Sequence, residues 1–299
     1  MTKFDRIYKQ VYKECNDELE GKRKALNKKA KRFIIVWIIS VSICMFLSLF
    51  FSPYYMVLMV IIILFMICKP VPEEEKNYSL DFKAKVIQSF IKAYSQNLEY
   101  NPYCGITPII YDDGEFEEKY DIYHSEDYIQ GMVVEKYKIE MSEVHTEREH
   151  SDGDNKWYST IFHGLFAQVE LNKFLEQTIK LRKNSYYKFF DKKERIEMDS
   201  GEFENLYDTY SKDKIIAMQL LTSDTMQLLI DFYNKYEIVP EITLKSNFLY
   251  IRLDIGNIFE ANIIKKALDY NTLKRYYDTI NFTLKIIEKI LKKIDETEI

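Results

Sequence analysis

Between Phe33 and Cys68 the chain carries no charged side chain. Two apolar runs, 33–51 and 54–68, flank Ser52-Pro53, and Lys69-Pro70 closes the second. As a helix the first run rises about 28 Å, close to the ~30 Å of a bilayer's hydrocarbon core. The second run is shorter and spans with local thinning or with Lys69 reaching back to the interface. The pattern predicts a two-helix transmembrane hairpin over 33–68, with one interrupted span or a re-entrant hairpin as the alternative. The apolar stretch starts too late for a secretory signal and has no small-residue cleavage site.

Upstream, Phe4, Ile7, Tyr8, Val11, Tyr12 and Cys15 fall on one face of a helix. Residues 1–32 therefore read as a basic amphipathic helix. Its cluster from Lys22 to Arg32 flanks the first span and holds that side in the cytoplasm. Two spans return the chain to the same side, which places both termini in the cytoplasm of a multi-pass protein of the cell membrane. Residues 69–102 read as a linker and a helix. Its apolar positions Leu80, Val86, Ile87, Phe90, Ile91, Tyr94 and Leu98 run up to Asn101-Pro102.

From about Tyr103 the period changes to two. Strands are predicted at 132–141, with 143–147 as an extension or a partner, and at 161–170, 177–181 and 195–198. Residues 242–253 predict a hairpin about Ser246-Asn247, and 151–155 carry turn chemistry. A helix is expected over 223–236, capped by Ser223. Residues 271–296 form a last helix, capped by Asn271, on which Leu273, Tyr277, Ile280, Leu284, Ile287, Leu291 and Ile294 repeat at heptad spacing. Two readings of that face stay open: packing on its own domain, or a coiled-coil surface for a partner. The expected class is α+β: the hairpin, then a cytoplasmic domain at 103–299 with a largely antiparallel sheet, flanking helices and the heptad helix.

Charge sharpens this division. Residues 1–32 carry net +6, whereas the chain after 68 carries −11, and that excess is concentrated in 112–154. Without a basic groove beside the many aromatics, nucleic acid is not an expected partner. No two glycines lie within two residues of each other, so no phosphate-binding loop is present, and no CxxC, HExxH or GxSxG occurs. Catalytic and cofactor-binding residues are therefore expected to be none, and the chain is read as not an enzyme. Cys104 reads as a structural thiol, since no base is visible beside it. In the acidic stretch His145, Glu147 and Glu149 share one face of a strand and are weak metal candidates, set against a solvated acidic edge.

Several segments together resemble the bacterial domain-of-unknown-function 3137 family. They are Glu126 to Gly131, Ser142 to His145, Ile161 to Phe166 with Asn172-Lys173, Glu202 to Asp213 with Leu220 to Thr222, and Ile258 to Glu260. The resemblance covers roughly 75–299. His163, inside the F-x-G segment, and Glu149-His150 depart from the pattern. The resemblance implies a membrane protein with a cytoplasmic domain, in company with helical LemA-like membrane proteins, and transfers no catalytic residue.

The expected function is thus a membrane-anchored cytoplasmic adaptor or scaffold working through protein–protein contacts. Its partners are the lipid bilayer and either a LemA-like helical protein or a second copy of the chain. The alternatives are a ligand- or lipid-sensing module at the membrane surface and a metal-dependent enzyme.

Overall fold

The computed structural model describes residues 1–50, 54–67, 72–116, 119–153, 155–184 and 194–296. The chain divides into two compact units, one of residues 1–90 with 260–273, the other of residues 91–259 with 274–299.

The first unit is built on α1 (Lys3–Phe50), a single helix of 48 residues and about 72 Å. No break separates its amphipathic part from its apolar part. In the first half Phe4, Ile7, Val11, Cys15 and Leu19 are buried. They are covered by α3 (Pro72–Phe82), a π-helical turn (Lys83–Ile87), the start of α4 (Gln88–Tyr94) and the segment 260–273. The Phe4 ring meets Phe90 and Tyr270 edge-on, the Tyr8 hydroxyl donates to the Leu268 carbonyl at 3.0 Å, and Arg23 donates to the Ile263 carbonyl at 2.9 Å. In the second half the pattern inverts. Ile34, Ile35, Val36, Ile38, Ile39, Ile43, Met45, Phe46 and Leu49 are exposed. Among the described residues α1 is the one helix long and apolar enough to cross a membrane. A second helix, α2 (Tyr54–Ile67), lies against it. At 14 residues α2 rises about 21 Å. The connection at Ser52-Pro53 and the stop at Lys69-Pro70 lie outside the described residues.

The second unit is α+β around one antiparallel sheet. Its strands are β1 (Leu98–Asn101), β2 (Ile122–Val133), β3 (Tyr137–Asp152), β4 (Asn155–Lys183), β5 (Arg195–Ile196), β6 (Tyr207–Ser211) and β7 (Glu241–Asp254). The order is β1-β2-β3-β4-β6-β5, with β7 on the other edge of β4. β4 is 29 residues long and central. β7 pairs with one of its edges between Gly164 and Leu181, while β3 and then β6 share the other. One face is covered by the segment that carries α5 (Pro108–Asp113), whose Ile106, Tyr111 and Phe116 pack with Val144, Phe162, Phe166 and Tyr250. On the opposite face lies α9 (Tyr270–Glu296), whose Asp295 accepts from Tyr137 of β3 at 2.5 Å. Short helices α6 (Gly201–Leu206) and α7 (Lys214–Leu220) and the longer α8 (Ser223–Tyr236) complete the unit.

Several expectations need correction. The strand expected at 132–141 is two strands joined by a tight turn in which Val134 and Glu135 both have positive φ. The strands expected at 161–170 and 177–181 are one, bent by register shifts near Leu175. Ser246-Asn247 does not close a hairpin: β7 runs straight through, and the positive φ of Ser246 marks the irregularity opposite Leu175. The helix expected to reach Leu98 ends at Tyr94, and Leu98 starts β1. Thr222, not Ser223, occupies the N-cap of α8. For α9 the capping acceptor is the Asp269 carboxylate, which receives the Thr272 backbone N–H at 2.9 Å, rather than Asn271.

Of the two readings of the heptad face, the burial matches packing on its own domain. Leu273, Tyr277, Ile280, Leu284, Ile287, Leu291 and Ile294 are all buried in the chain itself. So are Tyr276, Phe282, Thr283, Ile286 and Ile290, which fall outside the repeat. A stripe that wide is the core face of a globular domain's helix, whereas a coiled-coil seam is narrower. Phe232 of α8 stacks on Phe282, and Tyr94 meets Tyr277 at 5.3 Å. Packing within the chain accounts for the pattern and leaves no coiled-coil surface on that face.

Candidate functional site

The β2–β3 turn at 134–136 and the β3–β4 turn at Gly153 fold three strands onto one another. That register sets His124 opposite His145 and His145 opposite His163. The chain has four histidines, and three of them therefore form a row across adjacent strands. Directly paired residues project from the same face of a sheet. The row forms one wall of an open pocket of about 380 Å³, whose other lining includes Glu126, Glu143 and Asn257.

Two glycines shape this corner. Gly164 stands in β4 where the backbone of β7 passes close by, and a Cβ there would clash with the Leu253 carbonyl oxygen. Gly256, with φ 67°, turns the chain as it leaves β7. Its N–H donates to the His163 carbonyl at 2.8 Å. Two residues on, the Ile258 N–H donates to Glu143 Oε2 at 2.7 Å.

Glu143 is 5% exposed. Its second oxygen, Oε1, lies 3.0 Å from His163 Nε2. An ionised carboxylate only accepts, so in this pair Nε2 of His163 is the donor. The rings of His145 and His163 stack at 4.2 Å with 17° between planes, and His145 Nε2 lies 3.2 Å from Thr160 Oγ1. Burial lowers the pKa of His145 below its usual value, and the neighbouring His163 and His124 lower it further, against an opposing pull from Glu147. His145 is therefore neutral at pH 7, and its proton affinity is smaller folded than unfolded. The sign of the linkage follows: stability is complete above the unfolded pKa of about 6.5 and falls as pH drops through the folded one. An NMR titration of the ring should give a midpoint below 6.5. In His145→Phe that part of the acid destabilisation should be gone.

The predicted same-strand set fares differently. His145, Glu147 and Glu149 do not bring their donor atoms together within 4.8 Å. Glu147 Oε1 is 3.8 Å from His145 Nε2, but Glu149 is held by Lys156 at 2.6 Å and Tyr158 at 3.1 Å. Alternation puts them on one face without converging them; cross-strand pairing instead lines up His124, His145 and His163, whose donor atoms likewise do not lie within 4.8 Å of one another as the side chains stand, whereas those of Glu126, Asp127 and Glu260 do. The sequence places His124, His150 and His163 in or near the acidic stretch with His145, but without strand pairing it joins neither His124 nor His163 to His145 and does not single out Glu143 or Asn257. The acidic stretch is partly ion-paired: Lys245 bridges Asp113 and Glu115 at 2.9 and 2.7 Å. Cys104 is exposed, Cys15 and Cys44 are buried, and Cys68 lies outside the described residues.

A search of the curated proteins finds no match. Among solved structures the chain is similar to the crystal structure of the mycobacterial trehalose monomycolate transport factor A, TtfA. The identity is 7% and the TM-score 0.33, over 71% of this chain and 94% of that one. A likeness this slight supports no conclusion about either fold or role. The family described as "Protein of unknown function (DUF3137)" matches residues 160–292, which run from the His163-Gly164 corner through most of α9. Over that segment, a little under half of its length, the chain is similar to the domain-of-unknown-function 3137 family.

Proposed function

We propose that the protein is a membrane-anchored cytoplasmic module that senses a small polar ligand at the histidine-lined pocket of its sheet. The observation that carries this reading is the pocket itself: three imidazoles and two carboxylates facing one opening, with Glu143 held from both sides. α1 supplies the anchor, with α2 as a short return span. Lys24, Lys28, Lys31 and Arg32 ring the boundary between the charged and apolar halves of α1, which suits the cytoplasmic side of a bilayer. Both termini are then cytoplasmic. The chain acts by binding, and no step of catalysis is assigned to it.

A second reading, an adaptor working through protein contacts, is favoured by the exposed Trp157 and Tyr158 near the tip of the β3–β4 hairpin. In either case the buried face of α9 is not the contact.

The anchor and the pocket are tested together. Alkaline carbonate should leave the full chain in the membrane pellet, and protease added to intact cells should spare its C-terminal region. Extraction by carbonate, or cleavage from outside, overturns the topology. Detergent-solubilised protein should show a thermal shift with at least one member of a panel of polar metabolites, inorganic anions and divalent cations. His163→Ala should abolish that shift. A panel with no effect overturns the sensing reading.

A further inference from the structure

We propose that His124, His145 and His163 bind a divalent transition-metal ion of the zinc class, with Glu143 as the carboxylate that orients His163. This rests on the pocket being a ligand site and names the chemistry of its ligand.

Four observations point to this ion. The first is donor type. Three imidazoles suit zinc, nickel, copper or cobalt, whereas calcium and magnesium require oxygen ligands. The second is placement. Adjacent strands lie about 4.8 Å apart, so three imidazoles in register can meet above the middle one by rotating about χ1 and χ2. As they stand, the ring nitrogens of the three histidines are not all within 4.8 Å of one another, and the stacked rings of His145 and His163, with centroids 4.2 Å apart, need that rotation. The third is the surrounding shell. A metal-binding histidine usually gives its other N–H to a carboxylate, which fixes the tautomer and raises the ligand's basicity. Glu143 meets His163 in that manner, and the Ile258 N–H holds Glu143 in place. The fourth is access. The pocket opens to solvent, so three protein ligands leave a fourth position for water or for a small anion.

The remaining histidine provides an internal control. His150 also lies on β3, but it stacks on Trp157 and sits 2.7 Å from Ser159 Oγ. It has no place in the row.

The full chain, purified in detergent and stripped with a chelator, is titrated at neutral pH with Co²⁺ and then with Zn²⁺. One Co²⁺ per chain should bind with the visible absorption of a four-coordinate site, and Zn²⁺ should displace it. His145→Ala and His163→Ala should each remove the band. Glu143→Gln should weaken binding by about 10–100-fold, and His150→Ala should leave it unchanged. Near-UV circular dichroism reports whether each variant is folded. Should His163→Ala unfold, the exposed His124→Gln takes its place, with loss of the band again expected. No saturable uptake overturns the proposal, as does a band that survives His145→Ala in folded protein. If the thermal-shift panel finds an organic ligand or an anion while Co²⁺ and Zn²⁺ do not bind, the metal is excluded and the pocket remains a sensing site.

Discussion

Replacing Arg182 by Met should lower the stability of the sheet unit by about 1–3 kcal/mol, read as a fall in denaturation midpoint by circular dichroism. Arg182 leaves β4 as one of its last residues and is 4% exposed. Its guanidinium donates to the carbonyls of Ile242 at 2.8 Å, Glu115 at 3.0 Å and Leu181 at 3.0 Å, and to Thr243 Oγ1 at 2.7 Å. It also lies over the Phe116 ring at 4.4 Å. One side chain thus joins β4, β7 and the segment after α5. Burial pulls its pKa down to about 10, which still leaves it charged at neutral pH. Met keeps most of the stem's packing and removes all the donors, so the buried carbonyls lose their partners. Arg182→Lys should restore less than half of the loss, because a point charge cannot reproduce the planar fork. A fall of under 1 kcal/mol for Arg182→Met would show that the carbonyls find other donors.

Gly164→Ala should cost about 3 kcal/mol, the upper end of what overpacking usually costs. The added methyl has nowhere to go. It would overlap the Leu253 carbonyl oxygen and sit 2.9 Å from the Ile255 nitrogen, both backbone atoms. Rotamer changes cannot relieve a backbone clash, so β7 must move away from β4 where the two pair through Gly164 and Asp254. The same movement disturbs the Gly256 N–H bond to the His163 carbonyl. Loss of stability and loss of the pocket should therefore appear together. Gly153→Ala offers a contrast: nothing lies within 4 Å of that position, and only its φ of 62° opposes the change. A near-neutral Gly164→Ala would mean that the two strands are looser than they stand here.

What the sequence makes legible is local. The 36 uncharged residues, the turn at Asp152-Gly153 and the helix 223–236 follow from composition and period alone. What it hides is pairing. The β2–β3 turn has Val134 and Glu135 at positive φ, where glycine or asparagine would have announced it. Had that turn been legible, folding the chain about it would have laid His145 beside His124. In β7 the Ser-Asn pair signals positive φ truthfully, but the chain spends it on a register slip instead of a reversal. On α9 the heptad was real, yet Phe282, Ile286 and Ile290 were already present to show a stripe too broad for a two-helix seam.

The central position of β4 has a consequence for biosynthesis. When β4 leaves the ribosome, β3 already waits to pair with it, but β7 comes only after β5, β6 and three helices. Until then one side of the longest strand presents an open row of amide and carbonyl groups rich in apolar neighbours, the kind of edge that recruits foreign strands. The demand for a holding chaperone should therefore peak after residue 183 and end once Asp254 is made.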